Sequence, residues 1–222
     1  MYRHHPTDEY RILLTRENDD PATNAFYIFA LGSTQSPRNI GGWPRDNVTL
    51  WGDDVLLRGC LHWRLEKHES RSNNIMVFDT TAESFREMCA PIVSHRADLF
   101  KMHGMLGMTN FINEAKIIDI WMMRDYESEV WALKYRVELP VSYLSVQFGK
   151  TVGDVVVHSC DGDMLVLVRF GEWLLHFDIH GKLVASFHRN GLRLGKHWLK
   201  QTLVPHTFFT TLDDYSVNRQ CF

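Results

Sequence analysis

Apolar and polar residues alternate with a period of two along most of the chain. No stretch longer than about ten residues holds the 3.6-residue apolar period of a helix, so the pattern predicts an all-β protein. The clearest unit is IDIWMMRDYESEVWALKYRVELP, residues 118–140. Ile118, Ile120 and Met122 alternate with Asp119, Trp121 and Met123. The polar tip Arg124–Glu129 follows, and Val130, Leu133 and Tyr135 restart an apolar run that stops at Pro140. Alternation broken by a charged turn predicts an antiparallel hairpin.

Further strands are predicted over 10–17, 26–33 and 37–43, over 55–67 with a break at Gly59, and over 75–81 and 84–91. Others fall over 100–112 around Gly104 and Gly107, and over 155–163, which ends in the turn pair Asp161-Gly162. The run 164–191 divides into three strands at Gly171-Glu172 and His180-Gly181, and a last strand lies near His206–Leu212. Residues 1–9 read as a loose polar lead-in, and 10–222 as one domain. WPRDNVTLWGDD and HESRSNN read as loops, and 141–154 as a linker with some strand character.

These strands form a repeat. YRILLT, FYIFALGS and PRNIGG make one unit; GCLHW, IMVFDTT and SFREM a second; GMLGM, IDIWMM and WALKYRV a third; DMLVLV, WLLHFDIHG and LVASF a fourth. Tyr27, Ile75, Ile118 and Leu174 recur at intervals of roughly 40–60 residues, the length of a propeller blade. A lone small sheet cannot bury its own faces, whereas radial stacking buries each sheet against its neighbours. The expected architecture is therefore a β-propeller-like array of about four to five blades, each three- to four-stranded, with a ring left open as one form of it. A β-sandwich, which also uses many short strands at regular spacing, is the alternative.

The chain has 222 residues, 45% hydrophobic and 12% aromatic, which is ample for a core. Its net charge of −3 gives no electrostatic reason to expect nucleic acid or an anionic membrane as partner. No apolar run is long enough to span a bilayer, and the N-terminus lacks a secretory pattern, so a cytoplasmic or nuclear location is expected. Cys60, Cys89, Cys160 and Cys221 lie far apart and read as reduced, mostly buried residues.

No catalytic motif stands out. Cys60 and His62 share a strand face, but no second close pair completes a tetrahedral metal site. His176 and His180 would lie roughly 13 Å apart along a strand, too far for one ion. The acid pairs Asp53-Asp54, Asp161/Asp163 and Asp213-Asp214 fall at expected turns, where aspartate bonds its own backbone. Ser33 follows Gly32 without the second glycine of a nucleophile elbow, and no glycine-rich phosphate loop is present. Neither a metal nor a cofactor is expected. Asn47-Val48-Thr49 is a glycosylation acceptor in form only. Trp63, Trp121, Trp131, Trp173, Phe78 and Phe177 fall on strand positions and are assigned mostly to the core. Trp43 and Trp51 sit in a loop rich in Pro, Asp and Gly. With Arg71, His95 and Arg96 from neighbouring polar loops they are the candidate partner-binding residues, since exposed Trp and Arg are enriched at protein interfaces.

The succession DEYRILL, FYIFALGSTQSPRNIG, VLLRGCLHWR, IMVFDTTAESFREM, LGM and IDIWMMRDYESEVWALKYRVELP resembles the F-box-associated domain of plant F-box proteins, particularly the large cereal set. The resemblance is close over residues 8–140 and looser beyond. Its strongest pieces are Gly59-Cys60-Leu61-His62-Trp63, Phe78-Asp79 with Phe85-Arg86, and Asp119-Ile120-Trp121 with Trp131. It implies a propeller-like domain, without chemistry of its own, that recognises proteins destined for ubiquitination by an SCF-type ligase. In such proteins a preceding F-box docks the Skp adaptor of a cullin complex. This chain opens almost directly on DEYRILL, so those two partners are expected only where a longer form supplies the F-box. The other reading is a carbohydrate-binding or hydrolytic propeller, or a truncated product without activity.

Overall fold

The computed structural model describes residues 1–16, 25–42, 48–67, 74–92, 97–112, 116–148, 152–160 and 163–188. Over these residues the chain forms four four-stranded antiparallel sheets in succession, each a simple meander. The first holds β1 (Tyr2–His4), β2 (Glu9–Arg16), β3 (Ala25–Ala30) and β4 (Arg38–Gly42). The second holds β5 (Val48–Leu57), β6 (Cys60–Lys67), β7 (Asn74–Asp79) and β8 (Ser84–Cys89). The third is β9 (Ala97–Met102), β10 (Met105–Ile112), β11 (Ile117–Asp125) and β12 (Val130–Glu138). A short helix, α1 (Val141–Gln147), leads into the fourth: β13 (Val152–Cys160), β14 (Asp163–Phe170), β15 (Trp173–Phe177) and β16 (Leu183–His188).

The three strands expected of each repeat are the last three of each sheet. What the alternation under-reads is the opening strand of the first two sheets: β1 is missed and only the end of β5 is expected. Residues 1–9 are not a loose lead-in: Tyr2–His4 pair with Glu9–Arg11, and Tyr2 and His4 are buried. Trp51 lies in β5 rather than in a loop, and Asp53-Asp54 lie in that strand rather than at a turn. A register shift between Trp51 and Val55 absorbs the Gly52-Asp53-Asp54 interruption that makes the segment look like a loop. The linker after Pro140 is helical in its first seven residues, since Leu144 and Phe148, four apart, turn to one side and are buried. The strand expected near His206–Leu212, and the turn Asp161-Gly162, lie outside the described residues.

The hydrophobic core occupies the three seams between consecutive sheets. The first seam joins Tyr2 and Ile28 to Leu61 and Phe78. The second joins Val55, Ile75, Val77 and Met88 to Leu106, Met108, Met123 and Tyr126. The third, the largest, joins Phe111, Ile118, Ile120 and Met122 to Val155, Val166, Phe170, Leu175 and Phe177. Alternate residues of one strand serve opposite seams. Phe78 packs toward the first sheet, and Ile75 and Val77 toward the third. Leu106 and Met108 pack toward the second sheet, and Phe111 toward the fourth. A two-layer sandwich buries one face of each sheet, whereas here the second and third sheets are buried on both, as a propeller-like stack requires. β9 lies beside β5 on one side and β13 on the other, so the opening strands form the inner edge. No core cluster joins the first sheet to the fourth among the described residues, so over these residues the array is an open arc.

The aromatic assignment needs one correction. Phe78 and Phe177 are fully buried, with Phe26 and Phe170 beside them in that class, but Trp63, Trp121, Trp131 and Trp173 are only partly buried, at the seam margins. Indole is large and polar at one edge, and at Trp131 that edge reaches out of the seam: Nε1 donates to the Cys89 carbonyl at 3.0 Å.

Candidate functional site

Antiparallel order sends alternate connections to opposite ends of each sheet. The turns β1–β2 and β3–β4, and their counterparts in the later sheets, leave from one end. The β2–β3, β6–β7 and β10–β11 loops and all sheet-to-sheet connections leave from the other. The two ends are built for different work.

The turns that leave from the first end fasten each sheet to the one before it. In the turn after β7, Asp79 Oδ1 accepts the backbone N–H groups of Thr81 (2.7 Å) and Ala82 (2.9 Å). This places Glu83, in the left-handed region at φ 51°, against the first sheet. There its carboxylate accepts from Tyr2 (3.0 Å), Arg11 (2.5 Å) and Arg38. Burial opposes the charge on Glu83, but hydrogen bonds from Arg11 and Tyr2 hold its carboxyl below the usual range. The turn after β11 repeats the device. Asp125 caps the N–H groups of Glu127 and Ser128, and Glu129, at φ 54°, reaches back to the Cys89 N–H at 2.8 Å and to Arg86. In the fourth sheet Asp178 caps its own turn in the same way, and Gly181 lies against the Glu138 carbonyl of the third sheet. Two Asp-x-x-x-Glu pentapeptides, DTTAE and DYESE, are the sequence signal for this arrangement, and the period-two analysis passes over it.

A buried polar node closes the second seam. His62, fully buried, donates from Nδ1 to the Val55 carbonyl at 2.9 Å and accepts the Tyr126 hydroxyl at Nε2, 2.7 Å away. The carbonyl admits only a donor, which fixes the neutral tautomer. Burial pushes the His62 pKa down, the Cys60 thiol up and the Tyr126 phenol up to about 12. The guanidiniums of Arg58 and Arg86 lie 5.0 Å and 5.5 Å from the Tyr126 ring centroid. Both His62 nitrogens are engaged, so no lone pair is left for a Cys60–His62 metal pair. Among the described residues no group of three or more His, Cys, Asp or Glu is placed to hold a metal. His180 lies in the turn after β15, not on a strand face with His176. Cys60 is partly buried, but Cys89 is exposed, against the expectation for cysteines in this chain.

The long-loop end borders the segments of the chain that carry four of the five candidate partner residues. Trp43, Arg71, His95 and Arg96 lie outside the described residues. The strand ends flanking them, Gly42 and Val48, Lys67 and Asn74, and Ala97, all belong to this end. Trp51, four residues into β5, starts from it too. The same end carries α1, which anchors through Leu144 (0% exposed) and Phe148 (6%) and presents Tyr143 (55%) and Val146 (88%) outward. Phe148 is wedged edge-on against Trp173, ring centroids 5.1 Å apart. This pair carries no periodic signal in the sequence, because seven residues are too few to display a helical repeat. The spacing of Leu144 to Phe148 against Tyr143 to Val146 is its only trace. No helix among the described residues is long and apolar enough to cross a membrane.

A family model described as the F-box associated beta propeller domain matches residues 4–204. A comparison with curated proteins finds no match. Among solved structures, the chain is similar to the dihydro-heme d1 dehydrogenase NirN in complex with DHE, at 9% identity and a TM-score of 0.37. That alignment covers 83% of this chain and 39% of the other.

Proposed function

The chain belongs to the F-box associated beta propeller family, and from that membership we propose that it is a protein-binding domain, without chemistry of its own, that offers its long-loop end to another polypeptide. The observation that carries this reading is α1. An 88%-exposed valine and a 55%-exposed tyrosine stand side by side on a helix whose other face is pinned in the third seam. Tyrosine and apolar side chains held still on a scaffold bind at little entropic cost, because no loop has to be ordered on contact. Trp43, Trp51, Arg71, His95 and Arg96 extend the same surface in this reading.

In this reading the bound polypeptide is a substrate of a cytoplasmic or nuclear ubiquitin ligase of the SCF type. An F-box carried by a longer form would engage the Skp adaptor and, through it, the cullin. The acids described here point away from hydrolytic chemistry: Asp79, Asp125 and Asp178 cap their own turns instead of facing one another across a cleft. Affinity capture from plant extract tests the proposal, with the wild-type chain run beside a Tyr143→Ala/Val146→Glu variant of equal melting temperature. Proteins held by the first and lost by the second support it, and their ubiquitination is then assayed. Identical captured sets would refute the long-loop end as the binding surface.

A further inference from the structure

A cleft of about 420 Å³ opens between the third and fourth sheets. Met102, Met164, Ile179 and Val184 supply its apolar wall, Tyr135 one flank, and His103, His176 and Asp178 its polar groups. It adjoins the third seam without being filled by it: Met105, Tyr135 and Met164 pack on that core as half-buried margins.

The chemistry of the lining is asymmetric. Asp178 spends one oxygen, Oδ1, on the N–H groups of His180 and Lys182, each at 2.9 Å. The Lys182 amide bond and that of His180, with a smaller part from the charges of the same two side chains, hold its carboxyl below the usual range against its partial burial, so it is ionised at neutral pH. Burial pushes the His176 pKa down, so the imidazole beside it is neutral and able to accept a hydrogen bond. Tyr135 already supports a cation on its ring, the Lys134 ammonium 5.4 Å from the centroid. An apolar wall beside a fixed carboxylate and a neutral imidazole matches a long aliphatic stem carrying a positive charge. A planar guanidinium suits it better than an ammonium, being weakly hydrated and able to stack on aromatic rings and on thioethers.

We propose that this cleft is a second binding site that takes the arginine side chain of a partner polypeptide, its stem on Met102, Met164 and Val184 and its guanidinium at Asp178. The inference rests on the protein-binding reading but uses a different surface. Titration of the full chain, labelled at its methionine methyls, with N-acetyl-arginine methylamide should shift the Met102 and Met164 signals saturably. The isosteric citrulline amide should bind at least about tenfold more weakly, the effect of losing one charge-assisted hydrogen bond. Asp178→Asn keeps an oxygen for the turn and removes the charge, so it should bring the two probes level. Equal binding of both probes to the wild-type chain, no shift at either methyl in the tens of millimolar, or a preference for arginine that survives Asp178→Asn would overturn the assignment. Val146→Glu should leave the titration unchanged, which separates failure here from failure of the long-loop surface.

Discussion

Gly181 offers a direct test of whether the sheets are held in fixed register by their turns. It sits at φ +78°, and a Cβ built on it would fall inside the contact distance of the Glu138 carbonyl, a backbone atom of the neighbouring sheet. Gly32 sits at almost the same dihedral, φ +82°, and a Cβ there meets nothing within 4 Å. Alanine at either site carries the same backbone penalty, about 1–2 kcal/mol in the left-handed region. Part of that is offset by the ~0.4–1 kcal/mol gained from stiffening the unfolded chain. Only Gly181→Ala adds the cost of forcing a methyl group into a packed seam, about 1–3 kcal/mol. Subtracting one variant from the other therefore cancels the backbone contribution and leaves the seam. Urea denaturation followed by tryptophan fluorescence should place Gly181→Ala about 1–3 kcal/mol below Gly32→Ala. Hydrogen exchange should show the loss concentrated in β13–β16. If the two variants unfold at the same urea concentration, the third and fourth sheets do not meet at Glu138, and the stacked arrangement is wrong at that seam.

Other expectations are measured in the same way. Phe78→Ala removes a fully buried ring from the first seam and should cost about 3–5 kcal/mol, whereas the half-buried Trp121→Ala should cost less; the reverse order would contradict the seam assignment. Glu83→Gln takes the charge away from Arg11 and Arg38 and should cost about 1–3 kcal/mol by denaturant titration, with the added effect of Arg11→Ala much reduced in the double variant. His62 is buried neutral with a lowered folded pKa, so the unfolded chain binds the proton more readily. Its contribution is complete above the ordinary histidine pKa of about 6.5 and is lost as the pH falls through that value, at up to ~1.4 kcal/mol per pH unit. Glu83, also lowered, is complete above the ordinary carboxyl pKa and adds its loss only in more acid solution. Melting curves between pH 7 and 5 should show the first decline, and replacing His62 with Gln should flatten it.

What the chain reveals of itself, and what it conceals, follows from which side chains face a seam. β6, β7, β10 and β11 are legible because both faces are buried. Phe78 must be apolar for one neighbour and Val77 for the other, so these strands read as apolar runs bounded by Gly59, Asp79 and the Asp125 turn. The opening strands of the first two sheets escape notice for the opposite reason. They lie at the inner edge, are short like Tyr2–His4 or interrupted like Val48–Leu57, and draw stability from pairing rather than from an unbroken apolar pattern. The aromatic count conflates two jobs: Phe78 and Phe177 fill seams, while Trp131 spans a seam margin and the Cys89 carbonyl. The fastening carboxylates Glu83 and Glu129 are polar residues at turns and carry no hydrophobic signal at all. Only the recurrence of Asp-x-x-x-Glu, one repeat apart, marks them. The same logic limits the binding surface. A residue exposed to a partner obeys no periodicity set by the protein's own core, and Tyr143 and Val146 stand out only once Leu144 and Phe148 are known to face inward. A repeat architecture thus makes its scaffold the readable part, because each sheet constrains the next. In the proposed reading recognition falls to the connections, which can change without disturbing any seam.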